Sequence, residues 1–230
     1  ALHGYCPIVL ERGQDVDNRL KDVEDFWQGK PLKPDSNVQF GEGGAGTFSD
    51  GKLNSVIKEK AGRIRKVLET LVEFGAPEDI LYNSKPHVGT DVLINVVQSI
   101  RNRIISLGGQ VRFGAKVTGI SREMGAITGL SINDTEFLPC NRVIFAVGHS
   151  ARDTFEMLRD MGLPMEPKPF AMGVRIEHKQ TTVDESQYGM VSPVLPPADY
   201  KLVQHLDNAT VYTFCMCPGG HVVAAASEEG

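Results

Sequence analysis

Residues 40–53, FGEGGAGTFSDGKL, constrain this chain more than any other stretch, because five of the fourteen are glycine. Phe40, Phe48 and Leu53 are its apolar anchors, and the remaining residues are small, hydroxylic or charged. Such a segment is expected to be a loop, not core. Glycine opens backbone angles closed to other residues and lets the chain approach a ligand with no Cβ between them. The N–H groups of a glycine turn form an anion-binding nest. The reading is a loop against the phosphates or ring of a large cofactor; the plainer alternative is a surface loop without a ligand. Gly41, Gly43 and Gly46 also satisfy G-x-G-x-x-G, but that fingerprint needs a strand before it and a helix after it. SNVQF and TFSDGKL are poor candidates for either.

With 230 residues, one large or two small domains are expected, with ample core. A net charge of −5 gives no electrostatic reason to expect nucleic acid or an anionic membrane. The apolar runs are far shorter than a membrane span. Ala1 opens no signal-peptide pattern, so the expected location is cytoplasmic. Cys6, Cys140, Cys215 and Cys217 follow no zinc spacing, so no metal site is expected. Cys215 and Cys217 are expected as two small buried residues of a strand.

Taken in order, residues 6–10 read as a strand that ends on Glu11. In a doubly wound domain an acidic residue at that place binds ribose hydroxyls; the alternative is a solvated surface carboxylate. Residues 15–28 read as a short amphipathic helix or irregular cover, in which Trp27 is expected to pack, a flavin contact being the alternative, and residues 62–74 as a second helix. A long helix over 91–107 follows, capped by Thr90 or Asp91, with His87 before it as a loop histidine and a catalytic candidate. Residues 110–120 read as strand, bend at Gly114, then strand, and residues 123–139 as a hairpin or meander. Residues 141–148, NRVIFAVG, have the continuous apolar pattern of a fully buried parallel strand. After His149 come a helix over 151–162 and a proline-rich link. Antiparallel strands are then expected over 171–178, 201–206, 209–217 and 221–227, with 180–199 as a rigid surface connection. The fold class is therefore α/β: a parallel sheet with a small antiparallel layer in residues 1–150, and a mainly antiparallel second domain in 151–230.

The glycine stretch, PIVLERG, the unit KPHVGTD–helix–GGQVRFGAKVTGI, VIFAVGHSARDTFEML and PKPFAMGVRIEH together resemble FAD-dependent dehydrogenases, the NAD(P)/FAD-dependent oxidoreductases of the glutathione-reductase-like flavoprotein superfamily. The resemblance covers essentially the whole chain. It implies a Rossmann-like FAD-binding domain with an inserted substrate domain, non-covalently bound FAD, and NAD(P)H as a candidate electron donor. It implies that Glu11 holds the adenosine ribose with Arg12 beside it. Gly43, Gly44, Ala45, Gly46 and Thr47 would pass the pyrophosphate and flavin ring, and the Val117 backbone would meet the adenine. Ala146, Val147 and Gly148 match the A-T-G-like segment, with Val147 in place of threonine. Lys52, Asp50 and His149 are candidates for charge near the ring, Lys52 being equally placed to pair with Asp50 or Glu42. The family's first G-x-G-x-x-G unit and its last flavin-contacting segment have no counterpart here, so a fragment is expected.

A Ser–His–Asp hydrolase lacks its G-x-S-x-G elbow, and GAGTFSDGK lacks the ending of a phosphate-binding P-loop. Two readings stand. The first is an FAD-dependent oxidoreductase acting on a small-molecule substrate or electron acceptor, with catalytic residues unknown. The second is a truncated or interaction module that does not bind FAD by itself.

Overall fold

The computed structural model describes residues 1–48, 51, 53, 60–83, 86–214, 216–218 and 220–229. Lys52, Asp50 and Cys215, singled out above, lie outside the described residues. Contacts divide the chain into two units, residues 1–166 with 225–230, and residues 167–224.

The first unit is mixed α/β with small parallel and antiparallel sheets. Strand β1 (Ile8–Leu10) pairs in parallel with β2 (Gln110–Arg112), Val9 standing opposite Val111. Parallel neighbours need a long crossover, and among the described residues it carries three α-helices: α1 (Val16–Trp27), α2 (Arg63–Glu73) and α3 (Thr90–Ser106). Asp15 caps α1 by accepting from the Asp17 and Asn18 N–H groups. The caps expected at Thr90 or Asp91 are not formed: Gly89 is the N-cap of α3, and no side chain bonds there.

Beyond β2 the chain bends at Gly114 and forms an antiparallel meander, β3 (Val117–Glu123), β4 (Ala126–Ile132) and β5 (Glu136–Pro139). Helix α4 (Arg152–Asp160) packs on β3. Two apolar clusters hold this unit together. Ala76, Ile80, Val88, Leu93 and Val96 form the larger, with Leu53 and the α2 residues Leu68, Leu71 and Val72 around it. Val23, Val38 and Phe48 form the second.

The segment 141–148 departs from expectation. It forms no strand, and Ile144 is 93% exposed. Continuous apolar residues become a buried strand only where strands flank them on both sides, and no described strand bonds to this one.

The second unit holds α5 (Gln180–Tyr188) and a hairpin of β6 (Val203–His205) with β7 (Thr210–Tyr212). Helix α5 stands where a rigid surface connection was expected. It buries Val183, ends at left-handed Gly189, and is pinned by Asp184 Oδ1, which accepts from Gln180 Nε2 and the Ala198 N–H at 2.8 Å each. Residues 171–178 and 221–227 form no strands. They meet through side chains instead: Arg175 Nη1 donates to the Val223 carbonyl at 3.0 Å, and the Val222 N–H to Glu177 Oε2 at 2.9 Å. Cys217, expected to be buried, is exposed.

The contrast between a filled cluster and a bare segment is measurable. Ile80→Ala should lower the unfolding free energy by about 2–5 kcal/mol in urea titration, whereas Ile144→Ala should change it by less than about 0.5 kcal/mol.

Candidate functional site

The site is built on a buried arginine. Positions 16, 20 and 23 of α1 form its apolar face, and Arg19 falls among them with its side chain fully buried. A guanidinium taken from water needs a partner for each N–H, and the loop before the glycine stretch supplies carbonyls. Arg19 Nε donates to the Asn37 carbonyl at 2.9 Å and Nη2 to the Val38 carbonyl at 3.0 Å. Nη1 donates to the carbonyls of Gly41 at 3.2 Å and Glu42 at 2.6 Å. The guanidinium also stands 4.7 Å from the centre of the Phe48 ring. Burial lowers the Arg19 pKa to about 10, against the opposing charges of Glu11 and Glu42, so it remains a cation at neutral pH.

Around this centre the loop is fixed by its own polar groups. Asn37 Oδ1 accepts from the N–H of Gln39 and Phe40, while its Nδ2 donates to the carbonyls of Lys33 and Pro34. Glu42 Oε2 accepts from the Val16 N–H at 2.8 Å and from Arg101 on α3 at 2.6 Å. Burial pushes the Glu42 carboxyl above its ordinary range, although the Val16 N–H and the Arg101 charge oppose it. Gly13 and Gly41 cross so closely that a Cβ on Gly13 would stand 2.6 Å from the Gly41 Cα. Side chains at that crossing are excluded.

The structure brings several of the residues named from sequence to this neighbourhood. Glu11 follows β1, and its Oε1 accepts from the Gly13 N–H at 2.9 Å and the Gly41 N–H at 3.1 Å. Among the described residues its Oε2 accepts nothing. Arg12 lies 4.6 Å above the Phe40 ring and donates to Asp153 at 2.7 Å. The approach to Val117 runs alongside, since the Ala115 N–H donates to the Glu11 carbonyl at 2.9 Å. Gly43, Ala45 and Gly46 are exposed, Gly44 is half-buried and Thr47 is buried beneath them. Ala146 and Gly148 are exposed and lead into Ser150, whose hydroxyl donates to Gln39 Oε1 at 3.3 Å. His149 Nδ1 stands 3.3 Å from Ser150 Oγ, and His149 and His87 are both exposed. Trp27, expected to be packed, is 42% exposed.

Whether this loop suits a dinucleotide can be judged from what it leaves unused. The Gly43 and Ala45 N–H groups donate to nothing among the described residues. Thr47 Oγ1 is buried without a partner among the described residues. A Cβ added at Gly44 or Gly46 would meet nothing within 4 Å, so the chain's own packing does not fill that side. Exposed donors on a rigid support fit a phosphate-bearing cofactor. Among the described residues no group of three His, Cys, Asp or Glu side chains is arranged to hold a metal, and no helix is long and apolar enough to cross a membrane.

Comparison with known proteins agrees with a flavin link. Residues 169–230 match the family described as "FAD-dependent protein, C-terminal domain-like". That match supports a FAD-dependent family. The whole chain is also 50% identical over 234 residues to an uncharacterised protein of Clostridium beijerinckii, of which it spans 43%. This chain is thus similar to less than half of that longer relative.

Sequence reasoning passed over Arg19, Asn37 and Asp153. The signal for Arg19 was a cation at an apolar spacing, three residues after Val16 and four before Val23.

Asp153 gives the site a pH dependence. Burial raises its carboxyl pKa, but hydrogen bonds from Arg12 and Lys116 outweigh that and hold it at about 2, below the ordinary 3.8. A depressed carboxylate adds stability above its unfolded pKa and loses it as pH falls through the folded one. Acid titration from pH 4 to 2 should therefore destabilise the wild type more than Asp153→Asn. Because the side chain is 43% exposed, the difference should be no more than about 1 kcal/mol.

Proposed function

We propose that the chain is part of an FAD-dependent oxidoreductase, a dehydrogenase that holds its flavin non-covalently. The observation that carries this reading is the 43–46 loop, fixed over a buried arginine, with the Gly43 and Ala45 amide donors unused among the described residues. The family match of residues 169–230 supports the same cofactor. On this reading residues 1–150 belong to a Rossmann-like FAD-binding domain and residues 151–230 to an inserted substrate domain.

FAD, when bound, supplies the two-electron redox centre, and the protein supplies position, exclusion of water and local charge. Gly43 to Thr47 would take the pyrophosphate and the edge of the ring. Glu11 would offer its Oε2 to ribose hydroxyls while Oε1 keeps the Gly13 and Gly41 amides in place. The Val117 backbone would border the adenine, and Ala146 with Gly148 would pass beside the flavin. Arg12 is held against Phe40 and Asp153, which makes it a support for Glu11. The reaction would oxidise or reduce a small molecule, with NAD(P)H the candidate donor.

A second reading, that this length of chain does not retain FAD by itself, also has an observation behind it. Phe170, Met172, Val174 and Ile176 alternate along one segment and are each at least 73% exposed. An uncovered apolar stripe of that kind is a surface made to be covered.

The two readings separate in one titration. The purified chain mixed with FAD and passed through gel filtration should keep flavin absorption bands, and Glu11→Ala should weaken retention about tenfold. A chain that stays colourless after incubation with FAD would favour the second reading over the first.

A further inference from the structure

We propose that Arg19 is a positioning residue that presets the glycine loop as an anion nest, with the Gly43 and Ala45 N–H groups as donors to phosphate oxygens. Only the identity of the ligand, a dinucleotide, rests on the flavoprotein reading. The described residues contain no cis peptide bond, so the C=O and N–H of each peptide unit point in opposite directions. Arg19 Nη1 draws in the Glu42 carbonyl at 2.6 Å. The N–H on the same peptide unit is that of Gly43, which is thereby turned away from the guanidinium. The neighbouring unit obeys the same rule: the Gly41 carbonyl faces Arg19, and the Glu42 N–H turns the other way to donate to the Gln14 carbonyl at 3.0 Å. Two units beyond the Glu42–Gly43 unit, the Gly44 carbonyl accepts from the Thr47 N–H at 3.2 Å, which directs the Ala45 N–H outward.

A second, independent observation marks the same spot. Thr47 is 1% exposed, and its Oγ1 has no hydrogen-bond partner among the described residues. That oxygen lies 2.1 Å from where a Cβ on Gly43 would stand, so it is aimed at the peptide unit that Arg19 orients. Gly43 itself has φ +85°, a conformation that a side chain would strain. Buried hydroxyls are nearly always paired in folded proteins. An orphaned hydroxyl beside two unused amides indicates that an outside acceptor completes the site. Arg19, fixed by four carbonyls, sets the donors before any ligand arrives, which lowers the ordering cost of binding.

The test is a titration of the ¹⁵N-labelled chain with inorganic pyrophosphate and, separately, with FAD, read at the backbone amides. The Gly43 and Ala45 resonances should move with both. Arg19→Lys keeps the charge but not the forked donor set; it should bind pyrophosphate about tenfold more weakly while keeping its circular dichroism spectrum. Arg159→Lys, a surface control, should bind as the wild type does. Should Arg19→Lys fail to fold, the Arg19 side-chain protons decide the positioning arm. Slow exchange already present without ligand supports a preset loop, and protection gained only with pyrophosphate overturns it. FAD binding that leaves Gly43 and Ala45 unmoved overturns the nest while the flavoprotein reading stands. Pyrophosphate shifts at both amides without FAD binding support the nest and overturn the flavin as its ligand. An Arg19→Lys protein that binds pyrophosphate as tightly as the wild type overturns the positioning role.

Discussion

A single guanidinium, buried on the inner face of α1, organises the first unit. Arg19 reaches four carbonyls of the 37–42 segment, so a stretch with no regular secondary structure acquires one conformation. Neutral hydrogen bonds each contribute about 1 kcal/mol, and those to a charged group about 1.5–3. Charge-assisted bonds of this number offset the large cost of burying the cation. The partners that flank it act in the same direction. Glu42 ties the loop to the start of α1 and to Arg101 on α3, and Glu11 ties the end of β1 to Gly41. The glycines need not hold the loop; they let the backbone pass where it must.

This arrangement separates support from contact. Below the loop lie Arg19, Asn37, Phe48 and Thr47, all buried; above it lie Gly43, Ala45 and Gly46, all exposed. Two of the carboxylates at the site, Glu42 and Asp153, respond to pH in opposite senses. Glu42, with its pKa raised by burial, contributes most below the ordinary value of 4.5 and less as pH rises through the folded value. Asp153 contributes above 3.8 and loses its contribution in acid.

Local signals were legible in the sequence, and pairing was not. Helices α1, α2, α3 and α4 follow from apolar spacing and from the breakers after them, such as Gly75 with Pro77 and Gly108 with Gly109. The meander β3–β4–β5 follows from alternation around Gly125 and Gly129. Residues 141–148 carry the composition of a buried strand but have no described strand beside them, since pairing depends on partners that composition does not encode. The same holds for 171–178 and 221–227. Helix α5 was missed because its low apolar content resembles a loop, and because its anchor, Asp184 to Ala198, joins residues fourteen apart. At the site, the glycine loop and the Glu11 position were visible, while its support was not. Arginine on a helix reads as solvated surface until its spacing is set against that of the valines around it.

The most direct measurement is urea denaturation of Arg19→Met beside the wild type. The account predicts that the substitution, which keeps the apolar stem and strands four carbonyls, lowers the unfolding free energy by about 3–5 kcal/mol. A change within about 0.5 kcal/mol, the range of an ordinary surface substitution, would contradict the claim that this buried charge holds the loop.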